Sequence, residues 1–136
     1  MQWDDSLNGG FTTGNPFTDF VKGELDYHHL NVAQQLTDKN SLFHAVSKMI
    51  NIRKQHHAFG RGNMEWILTD NPSITIYMRK YQGETLLIIN NLSDSAQTIS
   101  LPRDVQFIYA DLLTNAQEQI GPTLKLQPYA YRWLKR

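Results

Sequence analysis

Two hydrophobic periods divide this chain. From about Ser41 to His57, the apolar residues Leu42, Phe43, Val46, Met49, Ile50 and Ile52 recur mainly at three- and four-residue steps. That spacing predicts one long α-helix with a broad apolar stripe. Asn40 or Ser41 precedes it as an N-cap, because a short polar side chain there accepts from a free first-turn N–H. Lys48, Arg53, Lys54, His56 and His57 crowd its end, where cations favour the negative pole of the helix dipole. Gly60 and Gly62 are expected to close it.

After Gly62 the period falls from 3.6 to 2. Strands are predicted over residues 64–68, 74–81, 85–90, 97–101, 105–112, 123–126 and 129–134. In the second of these, Ile74, Ile76 and Met78 share a face, and Gln82-Gly83 reads as a tight hairpin turn into the third. Asn71-Pro72 and Pro102-Arg103 mark further turns, and Pro122 and Pro128 flank the penultimate strand. Residues 1–40 are loop-rich, with Gly9, Gly10, Gly14, Pro16 and Gly23 breaking any long period. Asn31 to Leu36 predicts a short helix capped by Asn31. The expected fold is mainly β: an irregular segment and one long helix, then an antiparallel β-sandwich of about six to eight strands.

Composition changes this picture little but excludes several functions. Forty per cent hydrophobic and 11% aromatic content is ordinary for a globular chain. Thirteen basic residues balance 13 acidic ones, so no net field draws the chain to nucleic acid or to an anionic membrane. A neutral chain also has little protection against self-association. The absence of cysteine excludes a disulfide framework and a thiolate metal site, and fits a cytoplasmic location. The longest apolar run, Leu86 to Ile89, is far too short to span a bilayer.

Short motifs carry more. Met1-Gln2-Trp3-Asp4-Asp5-Ser6-Leu7-Asn8-Gly9-Gly10-Phe11 resembles a signature of glycoside hydrolase family 13, the α-amylase family. Asn31-Val32-Ala33-Gln34-Gln35 and Met49-Ile50-Asn51-Ile52-Arg53-Lys54 are similar to later segments of the same family. Ala58-Phe59-Gly60-Arg61-Gly62 and the hairpin from Tyr81 to Ser93 look most like its trehalose synthase branch. The ending Leu124 to Leu134 is similar to that branch's terminal strand pair.

The resemblance implies that residues 1–60 are the end of a catalytic (β/α)8 barrel: the loop after strand 8, a short helix and helix 8. Residues 61–136 would be the C-terminal antiparallel β-sandwich. It implies a parent that interconverts maltose and trehalose, an isomerase working by retaining glucosyl transfer. The parent's catalytic carboxylates would precede Met1, so no catalytic residue and no cofactor is expected here. Calcium, used by related amylases, would bind mostly outside this chain. An oligo-1,6-glucosidase parent, and a standalone carbohydrate-binding or assembly module, remain alternatives.

The residues themselves support modest chemistry. A retaining glycosidase needs two carboxylates about 5 Å apart across the scissile bond. Asp4 and Asp5 are adjacent and would diverge, so hydrogen bonding within the loop is the favoured role, with Trp3, Asp4 and Asp5 lying near the substrate in the parent. His28-His29 and His56-His57 are adjacent pairs, whereas helical metal ligands sit four residues apart, so no metal site is expected. Tyr77 and Tyr109 are candidates for stacking on an α-glucoside. Trp66 and Trp133 are expected in the core. The stripe Leu42, Phe43, Val46, Met49 and Ile50 is expected to pack on the parent's barrel or to drive self-association.

Overall fold

The computed structural model describes residues 1–136, which separate into two compact units, Met1–Ile50 and Asn51–Arg136. In the first unit, 3-10 turns at Leu7–Gly10 and Gly23–Leu25 precede helix α1 (Val32–Thr37) and the start of α2 (Leu42–Gln55). Asn31 caps α1 as expected. Its side-chain oxygen accepts from the Gln34 N–H at 2.9 Å, and its amide donates to the Tyr27 carbonyl at 2.8 Å. Both of its polar atoms are therefore satisfied although the residue is buried.

Ser41 caps α2 as expected, its Oγ accepting from the His44 N–H at 3.5 Å while donating to the Gln35 carbonyl at 2.7 Å. Gln35, on α1, adds a second acceptor, taking the Phe43 N–H at 2.9 Å. One glutamine thus serves as an unexpected capping acceptor from the preceding helix. The far end differs from expectation: α2 stops at Gln55, and a separate turn α3 (Ala58–Arg61) follows. Gly60 lies inside α3, and only Gly62 ends the helical run. A Cβ on Gly62 would sit 2.6 Å from the Ala58 carbonyl oxygen and 2.9 Å from that of Lys80. Both are backbone atoms that cannot move aside.

The second unit is an antiparallel sandwich of eight strands: β1 (Asn63–Trp66), β2 (Ile74–Tyr81), β3 (Glu84–Asn91), β4 (Gln97–Ser100), β5 (Ile108–Asp111), β6 (Gln117–Gln119), β7 (Thr123–Leu126) and β8 (Tyr131–Lys135). Six form one sheet in the order β1-β2-β3-β8-β5-β6, and β4 pairs with β7 in the other. The β2–β3 hairpin turns on Gln82 and Gly83 with φ of 46° and 86°, the paired positive values of a type I′ turn. Two predictions missed. The all-polar Gln117-Glu118-Gln119 carries no apolar alternation, so β6 was invisible. The predicted strand 105–112 begins instead with a 3-10 turn at Arg103–Val105, behind Pro102, and becomes a strand only at Ile108.

Register fixes which side chains meet. Between the sheets lie Ile74, Ile76, Leu87 and Ile89 from β2 and β3, facing Ile99, Val105, Ile120 and Leu126. The alternate residues of β3, Leu86 and Ile88, point the other way and are also buried, beneath Ile52, Ala58 and Phe59. β3 is therefore apolar on both faces, which explains its unbroken Leu-Leu-Ile-Ile run. Trp133 joins this second cluster and packs on Phe59 with ring centroids 4.6 Å apart. Trp66 does not join the core: it is 60% exposed on β1, an edge strand with every residue open to solvent. Its only ring contact is Tyr77, edge-on at 5.3 Å.

Candidate functional site

The opening loop closes on itself through its backbone. The Trp3 N–H donates to the Gly9 carbonyl at 2.8 Å, and the Gln2 and Trp3 carbonyls accept from the N–H groups of Val32 and Ala33, each at 2.9 Å. The Gln2 side chain donates to the carbonyls of Leu25 and Leu30. Asn8, Gly9 and Gly10 all have positive φ, which turns the chain back sharply. Gly10 is also needed for space, because a Cβ there would lie 2.7 Å from an Asp4 carboxylate oxygen.

Asp4 has the local role expected of it. One oxygen accepts from the backbone N–H of Ser6 at 2.9 Å and from the Ser6 hydroxyl. The Ser6 hydroxyl, then the Ser6 N–H, hold the Asp4 carboxyl below its ordinary range, against a small opposing effect of burial. A carboxylate committed in this way is an orienting group. Asp5 and Trp3 are exposed beside it. In the same unit, Phe11, Pro16, Phe17, Phe20, Val21 and Leu30 help line an open hollow of about 750 Å3, and Phe17 lies wholly in solvent.

The helix stripe has the same character. Leu42, at 72% exposure, Phe43, Val46 and Ile50 are exposed and Met49 is half-buried. Four of these five apolar side chains along one helix face are therefore exposed.

The two proposed sugar-stacking tyrosines fare differently. Tyr109 is only 1% exposed, and its hydroxyl donates to the Val105 carbonyl at 3.1 Å. It is a core residue, not a stacking platform: the parity of β5 turns it between the sheets. Burial pushes its phenol above the ordinary range, with Arg136 opposing and Asp104 adding to the rise. Tyr77 is half-buried against Trp66, on the outer face of the six-stranded sheet.

A polar cluster that the sequence did not reveal lies at the exit of α2. Glu84, first residue of β3, accepts from His56 Nδ1 at 2.6 Å and from the Ala58 N–H at 3.1 Å, and lies 3.4 Å from Lys135 Nζ. Arg79 Nε donates to the Ala58 carbonyl at 3.1 Å. His56 and Glu84 are 28 positions apart in sequence, and packing of the turn after α2 on the β2–β3 hairpin brings them together. No three His, Asp or Glu side chains gather in a way that could hold a metal ion.

The comparisons with known proteins agree along the whole length. Residues 1–62 match the model of the α-amylase catalytic domain, and residues 64–133 match that of the maltogenic amylase C-terminal domain. The chain is 36% identical over 132 residues to an oligo-1,6-glucosidase of Bacillus cereus, covering 95% of this chain and 23% of that protein. It is 37% identical over 133 residues to a trehalose-6-phosphate hydrolase of Bacillus subtilis, covering 95% of this chain and 23% of that one. Among solved structures, it superposes on the trehalulose synthase MutB of Pseudomonas mesoacidophila MX-45 with a TM-score of 0.82 and 30% identity, over 98% of this chain and 24% of that one. The chain thus spans about a quarter of the length of the relatives it matches.

Proposed function

We propose, from the premise that this chain belongs to the α-amylase family, glycoside hydrolase family 13, that it is the non-catalytic C-terminal part of an enzyme acting on α-glucosides. Its role is to complete and stabilise the barrel that carries the catalytic carboxylates. The observation that carries this reading is the pair of open apolar surfaces in residues 1–50: the stripe Leu42, Phe43, Val46, Met49 and Ile50, and the hollow behind Phe11, Phe17 and Phe20. A soluble chain exposes such surfaces at a cost of about 25 cal/mol per Å2 relative to covering them. In the enzyme the rest of the barrel covers both. In its absence the same surface favours association of the chain with itself.

For the reaction, the motifs at Ala58 to Gly62 and Tyr81 to Ser93 favour a trehalose synthase-like isomerisation of maltose and trehalose. A hydrolytic parent of the oligo-1,6-glucosidase type is the second reading, favoured by the 36% identity to the Bacillus cereus glucosidase. Both chemistries pass through retention at the sugar carbon and need two carboxylates that neither Asp4, committed to Ser6, nor its neighbour Asp5 supplies as a pair. Trp3, Asp4 and Asp5 would then line or support the rim of the substrate site.

A chimera tests the role. This chain replaces the matching quarter of the Bacillus cereus glucosidase, and the product is assayed on isomaltose, maltose and trehalose. Activity in the chimera, with none from the glucosidase truncated of that quarter, is the expected result. A folded chimera without activity on any of the three, or a truncated enzyme that is fully active, would contradict it. The appearance of trehalose from maltose would favour the isomerase reading over the hydrolase.

A further inference from the structure

We propose that Glu84 is an acid-sensitive latch that holds the exit of helix α2 against the six-stranded sheet, so that protonating its carboxylate releases the turn from His56 to Gly62. The geometry carries this on its own. A single carboxylate joins three elements: one oxygen takes His56 Nδ1 and the other takes the Ala58 N–H, while Lys135 approaches from β8. Arg79, from β2, holds the carbonyl of the same Ala58. The N–H of this buried alanine is therefore satisfied by the Glu84 side chain, while its carbonyl accepts from both Arg79 and the Gly62 N–H.

The latch sits over apolar surface. Ala58 and Phe59, together with Ile52, cover Leu86, Ile88 and Trp133 on the outer face of the sheet. The side chains of His56 and Glu84 are only 15% and 18% exposed, so their contact is sheltered from solvent. Tyr81 stands opposite Glu84 in the β2–β3 register, and His57 and Arg61 lie in the released turn itself. Only Glu84 has both its oxygens engaged by that turn. A protonated carboxyl keeps one good acceptor oxygen, so it serves the His56 ring or the Ala58 N–H, but not both. Burial alone would raise the Glu84 carboxyl; the hydrogen bonds from His56, Ala58 and Lys135 outweigh it and hold the group below its ordinary range. The charged, closed form is thus the favoured one at neutral pH.

The test follows amide hydrogen exchange of the 136-residue chain by NMR from pH 7 to pH 3, corrected for the intrinsic pH dependence of exchange. Ala58 is expected to lose at least tenfold in protection in one step below about pH 4.5, the ordinary glutamate value, while amides in the middle of β3 keep theirs. Glu84→Gln should lower Ala58 protection at pH 7 and abolish the acid step, because one amide oxygen replaces two acceptors. Glu65→Gln, which removes only the exposed pair with Lys80, should leave Ala58 unchanged. If Glu84→Gln does not fold, His56→Gln retains the Ala58 bond and should keep the step at lower neutral protection. Equal Ala58 protection in Glu84→Gln and wild type at pH 7, or an acid step that persists in that variant, would overturn the proposal. So would a wild-type chain with no acid step at Ala58.

Discussion

At the scale of single residues, the positions that matter most are those where a side chain or its absence answers one specific neighbour. Tyr109 fills the space between the sheets and donates one hydrogen bond to Val105. Tyr109→Phe keeps the packing and leaves the Val105 carbonyl without that partner, which should cost about 1 kcal/mol in denaturant unfolding. Tyr109→Ala should cost about 3–5 kcal/mol, because a cavity remains. Gly62→Ala should destabilise by about 1–3 kcal/mol, since the added methyl meets two backbone carbonyls that must shift. An unchanged unfolding midpoint for Gly62→Ala would contradict the close approach of this turn to β2. The sequence could announce a tyrosine in a β-rich run, but not the face it takes. One residue of register decides between core and surface.

At the scale of elements, local chemistry was legible wherever it was self-contained. Asn31 before an apolar run marks a cap, and Gln82-Gly83 between two β-rich runs marks a hairpin; both formed as the residues dictate. Asn31→Ala should therefore lower stability by about 0.5–2 kcal/mol. The cap of α2 by Gln35 and the Glu84 cluster were illegible because each depends on another element arriving first. Trp66 was misjudged for a related reason: its strand lies at the sheet edge, and nothing in the residues of β1 says so. Leu42, Phe43, Val46 and Ile50 of the α2 stripe are exposed in this chain. Replacing Leu42, Val46 and Ile50 with Glu should reduce self-association in light scattering without lowering the stability of the sandwich. A wild-type chain that is already a monodisperse monomer at high concentration would count against association through this face.

At the scale of the whole molecule, the two compact units differ in how much apolar surface they bury. Asn51–Arg136 contains both buried clusters, with β3 shared between them. Ile89→Ala at its centre should cost about 2–5 kcal/mol. Because the Glu84 carboxyl titrates lower when folded, its contribution is present above the ordinary glutamate value and is lost as pH falls through the lowered one. Thermal stability should accordingly fall below about pH 4.5, and the fall should be shallower in Glu84→Gln. Met1–Ile50 holds the loop from Met1 to Phe11 and the open apolar surfaces, in a chain that spans about a quarter of the relatives' length. The most direct test of the proposed non-catalytic role is a turnover assay on the purified chain alone, with maltose, trehalose and isomaltose, following both glucose release and disaccharide interconversion. No turnover on any of them is the predicted result. Turnover that survives repurification, and is abolished by replacing Asp4 or Asp5 with Asn, would mean that the catalytic carboxylates lie within this chain after all.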